Sequence, residues 1–465
     1  MQLTPLSSTN RAARATPHPP VRSNLVAMDL ARWVSIALAS LALACTASES
    51  EVRPPVDTIL FPPALAVSPD DSVAFVVTGN SDLSFDSGTV QVLDLAVVGE
   101  VVTNWIASRT SPPACKSSVD QPETLDCPEA DFLLENAGVR IGNFASAVGV
   151  QDLGVGGRLR LLVPVRGDPS LSWMEWDPAA RRLLCSDSQG FSLCDDAHRL
   201  TRLQSDSSLP AIPDEPYGIY VDSESEFAVV SHFTLGTMSL IDSPRGGTPQ
   251  LTDAVATGIT AGLSGVAGRK AGPTNQIYLQ SRGNDRVFVM TVARPTDDLP
   301  FLVSNGFFFL DGVGAGTNLG GNADDSRGIV FGSDGDRAYL VNRSPPSLQV
   351  LDTSLGADGV PQNRLVTSTD ICRKATAVAI ADTGGGDRAY VTCYATGELY
   401  SIDPRGATSI EATTLVGRGP IASAVVPSRR LLLVANFLDN TIAVVDVDPV
   451  SPSVYHVVLR IGGDS

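Results

Sequence analysis

The seventeen residues 430–446 read RLLLVANFLDNTIAVVD: an apolar strand, a short polar turn and an alternating strand that closes on Asp446. The stretch 336–352, DRAYLVNRSPPSLQVLD, has the same length and the same layout. Three more ungapped copies occupy 387–403, 226–242 and 275–291, the last with Thr291 in place of the closing Asp. Apolar alternation on both sides of a turn predicts a β-hairpin, and copies of equal length predict a repeat architecture.

Two looser copies of the hairpin, at 72–94 and 160–177, bring the number of units to seven. Each hairpin follows a short apolar strand and a turn, and a further strand is predicted after the closing Asp, for example at 98–103 and 454–460. Four strands in each of seven units predict an all-β fold, a seven-bladed β-propeller of four-stranded blades within residues 57–465.

The repeat resembles the YVTN-type repeats of YncE-like, surface-layer-type propellers. The resemblance rests on Tyr390-Val391-Thr392, on VANF at 434–437 with VVD at 444–446, and on AVSPD at 66–70. It covers nearly all of residues 58–461. It implies the propeller fold and says little about activity, because propellers host binding, scaffolding and several chemistries.

Unequal spacing of the closing positions predicts insertions in three blades, near 105–142, 178–216 and 295–326. We expect each insertion to follow a fourth strand and precede the next first strand. In a propeller this connection leaves the same face as the turn between the second and third strands. The insertions should therefore crowd one rim, where loops on a rigid scaffold commonly carry function. The segment 58–61 is a candidate for a strand that closes the ring.

Composition limits the classes of partner. The chain of 465 residues carries 33 basic and 51 acidic side chains, a net charge of −18, and 43% of its residues are hydrophobic. A chain this apolar and lightly charged forms a core and is not disordered. Nucleic acid is excluded as a partner, because neutralising phosphates requires a basic face. A monomer is expected.

The N-terminal part predicts export. Residues 33–44 form an uncharged apolar run of signal-peptide length behind Arg32, and Met28 is an alternative start. The segment 41–45, LALAC, resembles a bacterial lipobox, which implies that residues 1–44 are removed and that Cys45 is lipidated. Residues 45–56 would then be the anchor and its tether, and Thr46 favours the outer membrane. An ordinary cleaved signal peptide is the alternative.

The remaining six cysteines fall into pairs that are close in sequence. They are Cys115 with Cys127, Cys185 with Cys194, and Cys372 with Cys393. An even set in an exported chain predicts disulfides, although six cysteines allow fifteen pairings. Zinc is less favoured, because no Cys-x2-Cys spacing and no nearby histidine accompany them.

Polar residues follow the second strand in six blades: Thr78, His232, Ser281, Asn342, Cys393 and Asn436. The favoured interpretation is structural, with these side chains bonding the turn backbone. The alternative is a ring of polar groups at the axial mouth, in which His232, Asn342 and Asn436 would contact a ligand.

Arginines in the connections that precede first strands are candidates for binding an anion. Arg327 directly precedes such a strand, and Arg140 and Arg373 lie in the equivalent connections of other blades. Solvated rim arginines are the favoured alternative. The acidic stretch 322–326 lacks the spacing of a known calcium loop, so no metal site is predicted.

The favoured function is a lipid-anchored, non-enzymatic envelope propeller that binds a protein partner or a small ligand. No cofactor is expected, since the sequence lacks Cys-x-x-Cys-His, His-Glu-x-x-His, Gly-x-Ser-x-Gly and P-loop motifs. The alternative is a propeller enzyme, a lactonase-like hydrolase or a dehydrogenase, with His232, Asp325, Arg327 and Glu398 converging at the central mouth. A structural role in a cell wall or surface layer is the third possibility.

Overall fold

The structure is a computed structural model in which the residues described here are 52–186, 190–201, 209–258, 262–271, 274–283, 285–296, 298–310, 325–382, 386–406 and 408–462. The predicted signal segment, Cys45 and residues 46–51 of its tether lie outside these residues.

The first two blades carry most of the additional structure. In chain order they contain β1 (Ala64–Val67), β2 (Val73–Thr78), β3 (Gly88–Asp94), helix α1 (Leu95–Ser108), β4 (Lys116–Ser117), β5 (Leu125–Cys127), a 3-10 turn (Glu129–Asp131), β6 (Val139–Ile141), β7 (Gly149–Asp152), β8 (Leu159–Val165), β9 (Ser170–Asp177), β10 (Arg182–Leu184), a 3-10 turn (Asp196–His198) and β11 (Arg199–Leu200). Blade 1 is β1-β2-β3-β6, and blade 2 is β7-β8-β9-β10 with β11 also paired to β9.

The other five blades follow the four-strand pattern directly. Their strands are β12 (Pro216–Asp222), β13 (Phe227–His232), β14 (Thr237–Asp242), β15 (Gln250–Ala256), β16 (Leu263–Ala271), β17 (Thr274–Ser281), β18 (Arg286–Ala293), β19 (Phe301–Phe309), β20 (Ser326–Phe331), β21 (Arg337–Arg343), β22 (Pro346–Asp352), β23 (Arg364–Asp370), β24 (Ala375–Asp382), β25 (Asp387–Cys393), β26 (Glu398–Asp403), β27 (Ser409–Leu415), β28 (Pro420–Val426), β29 (Leu431–Asn436), β30 (Thr441–Asp446) and β31 (Val457–Gly462), with a 3-10 turn (Pro427–Arg429) before β29.

The blades form a closed ring, which confirms the predicted seven-bladed propeller. Inner strands contact the inner strands of neighbouring blades, and β1 contacts β28, so blade 7 meets blade 1. Within each blade the first two strands are antiparallel, as in the pairing of Ala64 with Val77. Inner strands therefore begin on the face where second strands end. We call this face the upper face.

The closing Asp of the repeat stabilises the turn that follows the third strand. Asp352 Oδ1 accepts hydrogen bonds from the backbone N and the hydroxyl of Ser354, at 3.1 and 2.6 Å. Asp177 and Asp446 accept backbone hydrogen bonds from residues two positions later in the same way. A short acceptor at the strand end fixes the turn locally, which explains why Asp recurs there.

Residues 98–103 were predicted as a strand and instead form part of helix α1. Asp94 caps this helix, because its Oδ1 accepts hydrogen bonds from the backbone N of Ala96 at 2.9 Å and of Val97 at 3.4 Å. The buried Val98, Val102 and Trp105 recur at helical spacing and pack against blades 1 and 7. Burial of one apolar face outweighs the β-preference of the valines.

The first insertion, residues 95–138, lies between the third and fourth strands of blade 1. The prediction that it follows the fourth strand was wrong. Its strand β5 pairs in parallel with β31, Leu125 opposite Leu459, and β4 pairs with β5. The Cys115–Cys127 disulfide closes this hairpin. The insertion thereby extends blade 7 to six strands and covers its outer edge.

The second insertion, residues 185–215, starts after β10 and covers the outer edge of blade 1. The Cys185–Cys194 disulfide closes its first loop. Arg140 N in β6 donates to Ser192 O at 2.8 Å, and Cys194 N donates to Arg140 O at 3.0 Å. Each of these two insertions therefore seals the edge of the preceding blade. The third predicted insertion contains the fourth strand of blade 4, β19.

Residues 58–61 join blades 1 and 7 without forming a strand. Phe61 N donates to Asn440 Oδ1 at 2.7 Å, and Phe61 O accepts from Gly79 N at 3.3 Å. The Phe61 ring lies 5.5 Å from that of Phe437. Strand exchange is not needed for closure, since blade 7 has its own four strands, β28 to β31.

The third disulfide, Cys372–Cys393, joins the turn before β24 to the end of β25 within blade 6. All three predicted pairs are thus confirmed, and they are consistent with an exported protein. Within the part of the chain that the structure describes, no helix has the length and apolar character needed to cross a membrane.

Candidate functional site

The polar residues that follow the second strands are buried inside the blades. His232 Nε2 lies 2.8 Å from Ser239 Oγ, and its Nδ1 lies 3.1 Å from the carbonyl of Asp214. Burial lowers the pKa of His232 to about 4, so the ring is neutral near pH 7. His232 therefore stabilises blade 3 and does not contribute to the wall of the central opening.

The two asparagines at the same position act in the same way. Asn342 Oδ1 accepts from the hydroxyl of Ser326, which ties the start of β20 to the end of β21. Asn436 Nδ2 donates to Val416 O at 2.9 Å and to Thr441 Oγ1 at 3.0 Å. Both side chains are fully buried, so the structure does not bring Asn342 or Asn436 to the axial mouth.

A recurrent irregularity shapes the upper opening. In blades 3 to 7 the register between the first and second strands shifts near the start of the inner strand, because the inner strand holds one extra residue. In each of these blades the first residue of the inner strand pairs with a residue at or next to the end of the second strand, and the residue after it lines the opening. Blade 2 has a residue at the equivalent position. These residues are Ser146, Tyr217, Ser264, Arg327, Thr376 and Ile421.

The opening is a cavity of about 690 Å³ on the axis, lined by inner strands of all seven blades; we call it the central cavity. Small residues such as Gly218, Gly265 and Gly328 form its wall below the extra residue. A Cβ at Gly218 would lie 2.5 Å from the carbonyl oxygen of Ser264. Glycine is required there because neighbouring inner strands approach closely.

Three arginines and one carboxylate meet at one side of the central cavity. Asp325 pairs with Arg327 at 2.8 Å and with Arg282 at 3.1 Å. Arg343 Nε donates to Ala375 O at 2.7 Å, and Arg343 has no ion-pair partner among the described residues. Burial lowers the pKa of Arg343, the positive charge of Arg327 lowers it further, and the carboxylate of Asp325 opposes this shift.

Two further cations and several aromatic rings complete the rim. Arg166 pairs with Glu215 at 2.9 Å, and the exposed Lys374 lines the cavity. The guanidinium groups of Arg166 and Arg282 lie 5.8 and 4.9 Å from the ring centre of Phe233. Among the described residues the rim therefore holds five cations and two carboxylates: Arg166, Arg327, Arg343 and Lys374 line the cavity, and Arg282, Glu215 and Asp325 join them through ion pairs.

The sequence-predicted residues are only partly assembled here. Arg327 lines the cavity and Asp325 is joined to it by an ion pair, whereas Arg373 is exposed and its neighbour Lys374 lines the wall instead. Arg140 belongs to the outer strand β6 and pairs with Asp86 at 3.0 Å. Glu398 begins β26 and does not line the central cavity.

The sequence analysis did not identify the residues at or one position beyond the ends of the second strands. Side chains alternate along a strand, so a buried residue at its end is followed by one that faces the opening. This position holds arginine in blades 2, 4 and 5 and an aromatic residue in blades 3, 6 and 7: Arg166, Phe233, Arg282, Arg343, Tyr394 and Phe437. The repeat alignment contained this signal.

In the part of the chain that the structure describes, no group of three His, Cys, Asp or Glu side chains is placed to hold a metal ion. Asp325, from the acidic stretch once considered for calcium, bonds to two arginines instead.

Comparisons with known proteins agree on the fold alone. No family model and no curated protein matches this chain. The periplasmic gluconolactonase of Pseudomonas aeruginosa has a TM-score of 0.53 at 16% identity, over 85% of this chain and 98% of that chain. A 6-phosphogluconolactonase-like protein from Bacteroides uniformis has a TM-score of 0.53 at 13% identity, over 82% and 94%.

The hydrazine synthase of Kuenenia stuttgartiensis is similar to the same degree, with a TM-score of 0.51 at 14% identity over 86% of this chain and 98% of that chain. Proteins with unlike names share this architecture, so the similarity establishes the propeller and assigns no chemistry.

Proposed function

We propose that this protein is an exported, lipid-anchored propeller that binds an anionic ligand in its central cavity without converting it. The observation that carries the proposal is the cluster of five cations and two carboxylates at the upper rim. The anchor rests on the lipobox resemblance at Cys45, and the three disulfides are consistent with export.

The contrast between the cavity and the rest of the chain supports an anion as ligand. The chain carries a net charge of −18, yet cations outnumber carboxylates among the described residues at this opening. A charged cleft with low-dielectric walls focuses its field and concentrates ions of opposite sign. Arg343, which lacks an ion-pair partner within the described ranges, presents a planar fork suited to a carboxylate or a phosphate.

Binding without conversion is favoured because the acidic groups at the rim are already engaged. Glu215 bonds to Arg166, and Asp325 bonds to Arg282 and Arg327. His232, the histidine considered as a catalyst, is buried within blade 3. An acid–base mechanism requires a proton carrier within reach of the ligand, and these three groups do not supply one.

A lactonase-like hydrolase is the second candidate. Two of the structures compared are named as lactonases, which is a statement about those proteins. Opening a sugar lactone produces a carboxylate, and the cation cluster would hold such a product. The same residues would therefore serve either function, and an assay for lactone hydrolysis distinguishes the two.

The test compares wild type with the double variant Arg327→Gln/Arg343→Gln and with Arg430→Gln, an arginine that pairs with Asp448 away from the cavity. Calorimetry measures binding of inorganic phosphate and of D-galacturonate, and a pH-stat assay follows hydrolysis of glucono-lactone. We expect wild type and Arg430→Gln to bind, the double variant to lose at least tenfold in affinity, and no hydrolysis above buffer. Unchanged binding by the double variant would refute the anion site. Hydrolysis that the double variant loses would establish the enzyme instead.

A further inference from the structure

A second cavity of about 820 Å³ opens on the upper face between blades 6 and 7; we call it the radial groove. Its walls are the turn 394–397, the connection 415–419 and the turn 438–441. Tyr394 lines both this groove and the central cavity, so one side chain forms part of both walls. The two cavities are thus adjacent parts of one surface.

The first insertion forms the outer end of the radial groove. Gln121 Nε2 donates to Leu415 O at 3.1 Å, which ties the insertion to blade 6. Arg460 donates to Gln121 Oε1 at 2.8 Å and pairs with Asp126 at 2.9 Å, which ties it to blade 7. These contacts hold the end wall in place across both blades.

Glycine keeps the groove open beside Tyr394. Gly419 has a φ of +67°, and a Cβ there would lie 2.7 Å from Leu438 Cγ and 3.2 Å from Tyr394 Cε2. Any larger residue would displace the two side chains that line the groove. The space beside the ring of Tyr394 therefore depends on glycine at position 419.

The charge of the radial groove differs from that of the central cavity. Arg418 pairs with Asp439, and Arg460 pairs with Asp126, so these four charges balance. A ligand that extends from the cavity into the groove would meet excess positive charge at one end. Along the rest it would meet these two ion pairs, the amide of Gln121 and the ring of Tyr394, and at the outer end the exposed carboxylate of Asp120.

We propose that the central cavity and the radial groove together bind an acidic oligosaccharide, with a sugar carboxylate at Arg327 and Arg343 and the following sugar units along the groove over Tyr394. The inference rests on the proposed anion-binding function. An aromatic ring offers a flat apolar face with a polar tip, which suits a sugar ring. A peptide recognised by strand addition needs a free strand edge, whereas turns and strand ends form these walls.

The experiment uses calorimetry to measure binding of oligosaccharides of one, three and five units in which the terminal unit is galacturonate and the other units are neutral sugars. The groove variant is Thr396→Trp, an exposed turn residue in the groove wall. The matched control is Leu235→Trp, at the equivalent exposed turn position of blade 3. Monomer binding in each variant reports that the fold and the central cavity are intact.

We expect wild type and Leu235→Trp to bind the pentamer at least tenfold more tightly than the monomer, and Thr396→Trp to bind both equally. Equal affinity for all lengths in wild type would overturn the groove while leaving the anion site standing. Length-dependent binding of acidic peptides in place of saccharides would also overturn it. Failure to bind the monomer would refute the proposed function itself.

Discussion

Arg343 lies beside Arg327 at the central cavity, and the charge of Arg327 adds to burial in lowering the pKa of Arg343. The like charge of Arg327 disfavours the charged form of Arg343, and Asp325 offsets this effect in part. An anion bound at both guanidinium groups would offset it further, so binding should stabilise the folded protein.

Phosphate should raise the thermal midpoint of wild type, measured against sodium chloride of equal ionic strength. A ligand that binds only the folded state at ten times its Kd adds about 1.4 kcal/mol. Arg343→Gln should have an unchanged or higher midpoint without phosphate and lose most of the shift, because repulsion and binding disappear together. A full shift in this variant would contradict the role given to Arg343.

His232 should make folding sensitive to mild acid. The folded-state pKa is about 4, while the unfolded chain has the ordinary value of 6.5. Above pH 6.5 the ring is neutral in both states and its contribution is complete. Between pH 6.5 and 4 the unfolded state binds the proton first, so stability falls by about 1.4 kcal/mol for each pH unit.

The comparison variant is His232→Asn, since asparagine occupies this position in blades 5 and 7. Urea unfolding at pH 7, 6 and 5 measures both proteins. We expect the variant to be less stable at pH 7 by about 1–2 kcal/mol, because bonds to Ser239 and to the carbonyl of Asp214 are lost. The difference should shrink as the pH falls. Parallel pH profiles would argue against a neutral buried ring.

Removing the Cys115–Cys127 disulfide should loosen the outer edge of blade 7. The bond closes the hairpin that pairs with β31, and losing such a bond costs about 2–4 kcal/mol. Hydrogen exchange should accelerate in Val457–Gly462 for Cys115→Ser/Cys127→Ser. The control, Cys372→Ser/Cys393→Ser, should leave those amides protected. Equal exchange in both variants would show that the insertion does not support this edge.

Cys45 should carry the lipid. Metabolic labelling with an alkyne fatty acid should mark wild type in the membrane fraction, and Cys45→Ser should be unlabelled and released in soluble form. An unlabelled, soluble wild type would instead support the ordinary cleaved signal peptide.

The propeller was predictable because each hairpin is specified locally. Alternation, a polar turn and a closing Asp recur within seventeen residues, and repetition of one unit implies a ring. Helix α1 was missed because Asp94 serves both as a closing Asp and as a helix cap, and the three valines within 98–103 suggested a strand. The pattern within this segment carries no information about the apolar surface of blades 1 and 7, against which Val98 and Trp105 pack.

In blades 3 to 7 the candidate site was predicted one residue away from its actual position. The sequence indicated a polar position after the second strand, and the structure places the rim residue next to it, as Arg343 follows Asn342. Which neighbour faces the opening depends on the strand register and on the extra residue of the inner strand. Both are fixed by pairing between strands and not by either strand alone.

In blades 3 to 7 the extra residue of the inner strand can change without changing the hairpin core. It lies outside the strand pairing that holds the blade together, and it differs from blade to blade, as with Tyr217, Ser264, Arg327 and Ile421. The hairpin core can therefore stay constant while this position is exchanged. In evolution or in protein engineering, the ligand selectivity of the central cavity could therefore change by substitution of this residue in one blade at a time.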